Sequence, residues 1–328
     1  MNGMIGMIGM IGMGRETFQM EAAIGIDIGG TNIKEGIVSR EGLLLRHGSV
    51  PTEAGGGPEE LIDKLLRIVE ASSVYCRESG IVLKGVGIGT AGQVNAQSGA
   101  VAGATGNLPG WAGIPLARLL SEKTGLPVVV DNDVNAIAQG EAWVGAGKPW
   151  SDFLCVALGT GIGGCIVTGG RVYHGRDGFA GEIGHMPVQM DGGALCTCGN
   201  RGCWEAYASV NALKRMAASG LDGESFADPV ALFAEARRGN PSATAIVDKY
   251  AGYVSVGLAG LIHIFNPPAI VIGGAVTAQG DFLFERIRAL TERRTMSVFR
   301  HPDPVSIVPA SLGDNAGVIG AAGRCLIG

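Results

Sequence analysis

The sequence predicts an α/β protein of two lobes, and three observations carry that prediction. Short apolar runs that end in glycine turns are interleaved with amphipathic stretches of helical period, the signature of strands and helices layered around sheets. A strand–glycine–threonine–strand hairpin occurs twice, at DIGGT (27–31) and at LGTGIGG (158–164), as duplicated domains would give. The 328 residues, 46% hydrophobic against 17% charged, are also too many for one small core.

Composition narrows the function classes. A net charge of -5 argues against a nucleic-acid surface, which needs a basic patch. Residues 1–20 repeat Met-Ile-Gly three times before Met13. Glycine at every third place spoils the helix of a signal peptide, and the stretch is too short for a membrane span, so it reads as a low-complexity leader. No other segment approaches 18 uninterrupted apolar residues, and no membrane helix is expected. Of seven cysteines, Cys76, Cys155, Cys165 and Cys325 stand alone in apolar or helical contexts. They read as reduced core residues of a cytoplasmic protein.

The elements follow in order. AAIGIDIGG, NIKEGIVS and the residues after them read as strand, glycine turn, strand, turn, strand. The first turn exposes backbone N–H groups with no Cβ in the way, which suits a phosphate, though a Gly-Gly hairpin is more often simply a turn. It is not a Walker loop, because no Gly-Lys-Ser/Thr follows. From Pro58, apolar residues at Leu61, Ile62, Leu65, Leu66 and Val69 predict an amphipathic helix. GIVLKGVGIGTAG is a buried strand, and NLPGWAGIPLARLLSEKTG a loop running into a second helix. LPVVVDND is a strand ending at Asp131, Asn132 and Asp133 before another helix. Two readings of Asp133 stand open: a helix cap, or a base at the carboxyl end of a strand where α/β proteins bind ligands. The second glycine hairpin then suggests two turns meeting a polyphosphate from opposite sides. Asn240 and Pro241 open a long helix stopped by Asn266, Pro267 and Pro268, in which His263 is a core or boundary residue. DFLFERIRALTERRT is a further amphipathic helix, VSIVPASLGD a strand and NAGVIGAAGRCLIG a closing helix.

The densest chemistry lies between Gly181 and Glu205. His185, Cys196, Cys198 and Cys203 make a set of soft and borderline ligands suited to a closed tetrahedral zinc site. Glu182 and Glu205 bracket it and are left free. One reading is a purely structural zinc knuckle with solvated glutamates. The other is a zinc staple that holds Glu182, His185 and Glu205 in a triangle facing a polyhydroxylated substrate.

DIGGT, DNDVNAIAQGE (131–141), LGTGIGG, GEIGH (181–185) and CTCGNRGCWE (196–205) resemble, in order and spacing, the motifs of the ROK family of repressors, open reading frames and sugar kinases, closest to its glucokinases. The resemblance covers about residues 22–326. It implies an actin-like, ribonuclease H-like ATPase fold, with an N-terminal lobe of 21–131 plus 314–328 and a C-terminal lobe of 132–313 about a central cleft. It implies ATP, Mg²⁺ and a zinc bound by His185, Cys196, Cys198 and Cys203. By the same resemblance Asp133 is the general base that takes the proton of the sugar hydroxyl. Asn132, Glu182, His185, Glu205 and Asn107 contact the hexose. Asp27, Gly29, Gly30 and Thr31 form the first phosphate motif, with Asp27 acting through Mg²⁺ and its waters. Gly159, Thr160 and Gly161 form the second, and Gly273 and Gly274 the adenosine-side turn. A homodimer or homotetramer is implied too. If one His185 nitrogen binds zinc, the other carries the proton and donates to a sugar hydroxyl.

The loop GTAGQVN (89–95) departs from the family pattern, with Ala91 and Asn95 where many members have proline and aspartate. Rival readings are a kinase for N-acetylmannosamine, N-acetylglucosamine or fructose, and a sugar-responsive repressor. The repressor is disfavoured, because the 26 residues before Asp27 show no helix-turn-helix pattern.

Overall fold

The structure, a computed structural model, describes residues 19–104, 106–300 and 303–327. The leader expected over residues 1–20 lies almost wholly outside them. In chain order the first half holds β1 (Glu21–Ile28), β2 (Asn32–Ser39), β3 (Leu44–Pro51), α1 (Gly57–Glu78), β4 (Val82–Thr90), β5 (Gln93–Asn95), β6 (Ala100–Gly103), α2 (Leu116–Thr124), β7 (Val128–Asn132) and α3 (Asp133–Val144). The second half holds β8 (Phe153–Leu158), β9 (Ile162–Thr168), β10 (Arg171–Val172), α4 (Glu205–Ala208), α5 (Val210–Ser219), α6 (Pro229–Arg237), α7 (Pro241–Phe265), β11 (Ala269–Gly273), α8 (Asp281–Arg294), β12 (Ser306–Pro309) and α9 (Ala316–Leu326).

The expected duplication is visible in the strand order. One sheet runs β3-β2-β1-β4-β7 and the other β10-β9-β8-β11-β12, with an antiparallel hairpin leading into parallel pairs in both. Each parallel pair needs a crossover, and helices on the sheet faces supply it. These mixed α/β sheets fit a two-lobe actin-like ATPase fold. The predicted helix after Pro58 buries Leu61, Leu65 and Val69 against the first sheet, each contributing about 1.5–3 kcal/mol of burial.

The lobes join at a seam of small residues where α9 crosses α3 and returns to the first sheet. A Cβ on Gly320 would stand 1.8 Å from the Ala136 carbonyl oxygen, and one on Gly87 would stand 1.7 Å from that of Ala321. Only glycine permits backbones this close. Above the seam, the buried carboxylate of Glu141 accepts from the backbone N–H groups of Ala146, Ser311 and Leu312. This ties the end of α3 to the chain entering α9.

Two local features position the site. The hairpin β5–β6, too short to have been anticipated, rises from the end of β4. Asn95 Oδ1 accepts from the N–H groups of Gln97 and Ser98 and closes its turn, so the asparagine flagged as a departure is the residue that shapes it. In the second lobe Asn240 caps α7 and Asn266 ends it in the left-handed region, at φ 44. This helix is long and apolar enough to cross a membrane by length and composition, although Asp248, Lys249, Ser255 and His263 break any run of 18 uninterrupted apolar residues in it. It is nonetheless a core helix, burying Tyr250, Val254, Leu258 and Leu261. Its Gly257 leaves room for the fully buried indole of Trp204, whose Nε1 donates to the Tyr253 carbonyl at 2.9 Å. The cysteine-rich loop that ends at Trp204 is thereby fixed to the core. His263 is exposed, its ring against Phe299 and its Nε2 accepting from Met296 N–H.

Candidate active site

A cavity of about 440 Å³ lies between the lobes, where both sheets present their glycine turns. Its wall carries Gly29, Gly30, Asn107, Asn132 and Asp133 from the first half of the chain. Gly159, Thr160, Gly161, Glu182, His185, Glu205 and Gly274 line it from the second. Asp27, Thr31 and Gly273, also expected at the site, are not among its lining residues; Asp27 packs against Gly317 at the start of α9, and Thr31 is exposed. No lysine or arginine is among the lining residues. A polyanion here therefore depends on backbone donors. Gly29 N–H closes its own turn onto the Asn32 carbonyl, and Gly159 N–H onto that of Gly161. The N–H groups of Gly30, Thr31, Thr160 and Gly161 take no main-chain acceptor among the described residues, which leaves two small nests of donors.

Asp133 begins α3 at the end of β7. The cap reading goes to its neighbour: Asn132 Oδ1 accepts from Val134 N–H at 2.9 Å and Asn135 N–H at 3.2 Å. Asn132 Nδ2 donates to the Gly92 carbonyl, which leaves it one N–H for a ligand. Asp133 accepts only from Val134 N–H and forms no salt bridge among the described residues. Burial first, and then the charge of Asp27, push its carboxyl up to about 7. Burial likewise raises Asp27 to about 6. Two neighbouring carboxylates, one raising the other by its charge, are a poor arrangement for a protein alone and a good one for a metal–phosphate ligand.

The cysteine-rich loop forms a candidate metal centre. One ligand atom from each of His185, Cys196, Cys198 and Cys203 lies within 4.8 Å of all the others. His185 Nδ1 is 3.6 Å from Cys196 Sγ, and Cys198 Sγ is 3.7 Å from Cys203 Sγ. His185 thus turns Nδ1 to the cysteines and leaves Nε2 toward the cavity, 3.8 Å from Glu182 Oε2. Glu205 is committed on both oxygens. Oε2 accepts from Ile162 N–H at 2.9 Å, and Oε1 accepts from Thr197 Oγ1 and the Cys196 thiol. It therefore couples the second glycine turn to the cysteine loop while still facing the cavity.

Sequence reasoning missed Thr197, Gln93 and Phe179 on this wall. Thr197 could have been found, since it sits between two ligand cysteines. It also missed a buried cluster behind the cavity. Asp131 Oδ2 lies 2.8 Å from His174 Nε2 and accepts from Arg324, while Asn135 Nδ2 donates to Oδ1 at 2.8 Å.

A family model described as the ROK family matches residues 23–324. The chain belongs to the ROK family. Among ROK proteins it is 36% identical to a glucokinase of Thermotoga maritima, over 91% of this chain and 95% of that protein. It is 37% identical to a glucokinase of Streptomyces coelicolor, over 92% and 97%. A solved ROK glucokinase of Streptomyces griseus, in complex with glucose and AMPPNP, is similar at a TM-score of 0.79 and 36% identity, over 94% of this chain and 100% of that one.

Proposed function

We propose that this ROK protein is an ATP-dependent hexose kinase that transfers the γ-phosphoryl group of ATP to the 6-hydroxyl of glucose. The observation that carries the reading is one cavity in which Asp133, a carboxylate with no cationic partner and an affinity for protons near neutrality, faces two turns with free N–H donors. A primary alcohol is a weak nucleophile, so a carboxylate in reach of it takes its proton as the phosphoryl group arrives. The free N–H groups of the turns at Gly30 and Thr160 bear the phosphate charge, with Gly274 on the adenosine side. Glu182, His185, Glu205, Asn107 and the spare N–H of Asn132 accept from and donate to the sugar hydroxyls. The carboxylates on this wall favour a neutral polyol over a sugar acid or sugar phosphate.

The donor set of the cysteine loop fits zinc. Ligands about 2.0–2.3 Å from a tetrahedral ion stand about 3.3–3.8 Å apart, and the spacings of 3.6 and 3.7 Å agree. His185, Cys196, Cys198 and Cys203 would hold it, leaving His185 Nε2 as an obligatory donor to the sugar. Asp27, hard and unpaired, fits Mg²⁺ or its waters, and that ion when bound with ATP supplies charge neutralisation on the phosphates. We assign residues 21–131 with 314–328 to one lobe and 132–313 to the other, and expect a cytoplasmic homodimer or homotetramer. An ATP-coupled assay with glucose, fructose, N-acetylmannosamine and N-acetylglucosamine tests the function. Turnover highest on glucose is expected, and ATP left unconsumed with every sugar overturns the reading.

A further inference from the structure

The cavity has a polar bridge across its mouth that none of the assigned roles accounts for. Gln93, the first residue of β5 in the first lobe, donates from Nε2 to Glu182 Oε1 in the second at 2.7 Å. The two are 89 positions apart in the chain. The other Glu182 oxygen faces His185 Nε2 at 3.8 Å, beyond hydrogen-bond reach, so among the described residues Gln93 is the side chain that fixes this carboxylate.

The surrounding backbone is shaped for that bridge. Gly103 lies opposite Gln93 in the hairpin register, and a Cβ there would stand 2.4 Å from Gln93 Oε1. The bare glycine lets the amide lie flat across β6 and reach the other lobe. The loop carrying Glu182 meets the same hairpin at Gly178, whose φ is +97 and whose Cβ would stand 2.4 Å from the Val94 carbonyl. At the root of the hairpin, Asn132 Nδ2 holds the Gly92 carbonyl at 3.0 Å. One short chain therefore runs from the strand end bearing Asp133, through Gly92 and Gln93, to Glu182.

We infer that Gln93 is a positioning residue for hexose capture, orienting the Glu182 carboxylate from across the cleft. The inference rests on the hexose-kinase reading above. Glu182 Oε1 spends one lone pair on Gln93 and keeps another for a sugar hydroxyl, so the sugar meets an acceptor of fixed direction. Without Gln93 the carboxylate turns freely and its binding contribution falls. The effect belongs to sugar binding, because Gln93 touches neither the base nor the glycine turns.

Steady-state kinetics on Gln93→Leu, Gln93→Lys and Gly103→Ala in the full chain test this. Loss of a hydrogen bond to a charged acceptor gives a roughly ten- to hundredfold rise in hexose KM for Gln93→Leu. Its kcat and ATP KM stay within about twofold of wild type, and the unchanged ATP KM shows that the variant is folded. Gln93→Lys, which restores a donor, recovers a good part of the loss. Gly103→Ala displaces the amide without removing it and raises hexose KM less than Gln93→Leu. Wild-type turnover with an unchanged hexose KM in Gln93→Leu, or equal losses in the Leu and Lys variants, overturns this assignment alone. A wild-type protein that phosphorylates no hexose overturns the kinase reading and this assignment with it.

Discussion

Asp131 and Asp133 leave the same strand end two residues apart and enter opposite surroundings. Behind the strand, Asp131 sits in a buried pocket with His174, Asn135 and Arg324. Burial alone would raise its carboxyl. The His174 hydrogen bond, the Arg324 charge and the Asn135 amide outweigh burial and hold it below the usual carboxylate range. In front, Asp133 is half-buried on the cavity wall with no such partners, and desolvation together with the charge of Asp27 pushes it up to about 7. One strand thus carries a permanent anion that ties elements together and a carboxyl free to exchange a proton near neutral pH. Desolvation is common to both, so the partners decide which is structural and which can do chemistry.

The largest expected break in that contrast is Asp133→Asn. Removing a general base costs roughly 10²–10⁴-fold in turnover. In the assigned role kcat falls by about that factor, while calorimetry still registers hexose binding. A variant that binds no hexose would mean that Asp133 shapes the pocket instead of serving its chemistry.

Behind the strand, Arg324→Leu leaves the Asp131 charge buried without its guanidinium partner. Breaking a buried pair from one side costs about 3–5 kcal/mol, and thermal unfolding should record a loss of that order. The residual activity at low temperature should keep the wild-type hexose KM. Because the folded-state pKa of Asp131 is depressed, its stabilisation is present above the ordinary carboxylate range and is lost as pH falls through the folded value. An acid titration of wild type and variant should therefore converge at low pH.

The two sides were not equally legible in the sequence. His185, Cys196, Cys198 and Cys203 declare themselves because candidate metal ligands cluster in a short span, and the hairpin glycines because a turn is a local event. The duplicated sheet order followed from two such turns. The β5–β6 hairpin escaped because strands of three and four residues carry no readable period. Gln93–Glu182 and Asp131–Arg324 escaped for another reason. Each joins residues 89 and 193 positions apart, and neither partner is unusual until the fold brings them together. Asp133, the proposed general base, was legible as a motif residue, but its raised affinity for protons was not, since that property comes from packing.

The candidate metal centre separates the cavity from the Asp131 cluster further. Cys203→Ser should release the ion, as elemental analysis would show, and free the loop that carries His185 and Glu205. Hexose KM should rise by roughly ten- to hundredfold, the usual cost of loosening the groups that orient a metal site. Thermal stability should change less than in Arg324→Leu. An equal loss of ATP affinity would indicate that the ion braces the whole second lobe.

The smallest effect is the most specific to the Asp131–Asp133 contrast. A carboxyl whose folded pKa is raised contributes stability that is fully present below its unfolded value and is lost as pH rises through the folded value. For Asp133 that window runs from about 4 in the unfolded chain to about 7 in the folded one. Asparagine cannot ionise, so Asp133→Asn should gain stability relative to wild type as pH rises across the window, and the gain should level off above it. Asp27 titrates over part of the same range, with burial raising it to about 6, which spreads the transition. A gain of about 1–2 kcal/mol between pH 5 and pH 8 corresponds to a few degrees in Tm for a chain of this size. Differential scanning calorimetry at the two pH values reads it directly. Asp131→Asn should shift the opposite way in a lower window, losing stability relative to wild type as pH rises through the carboxylate range up to about 4 and holding that deficit unchanged between pH 5 and pH 8, because the folded Asp131 carboxyl is held below its ordinary value. If both variants move in the same direction, the contrast between the two strand-end carboxylates is wrong.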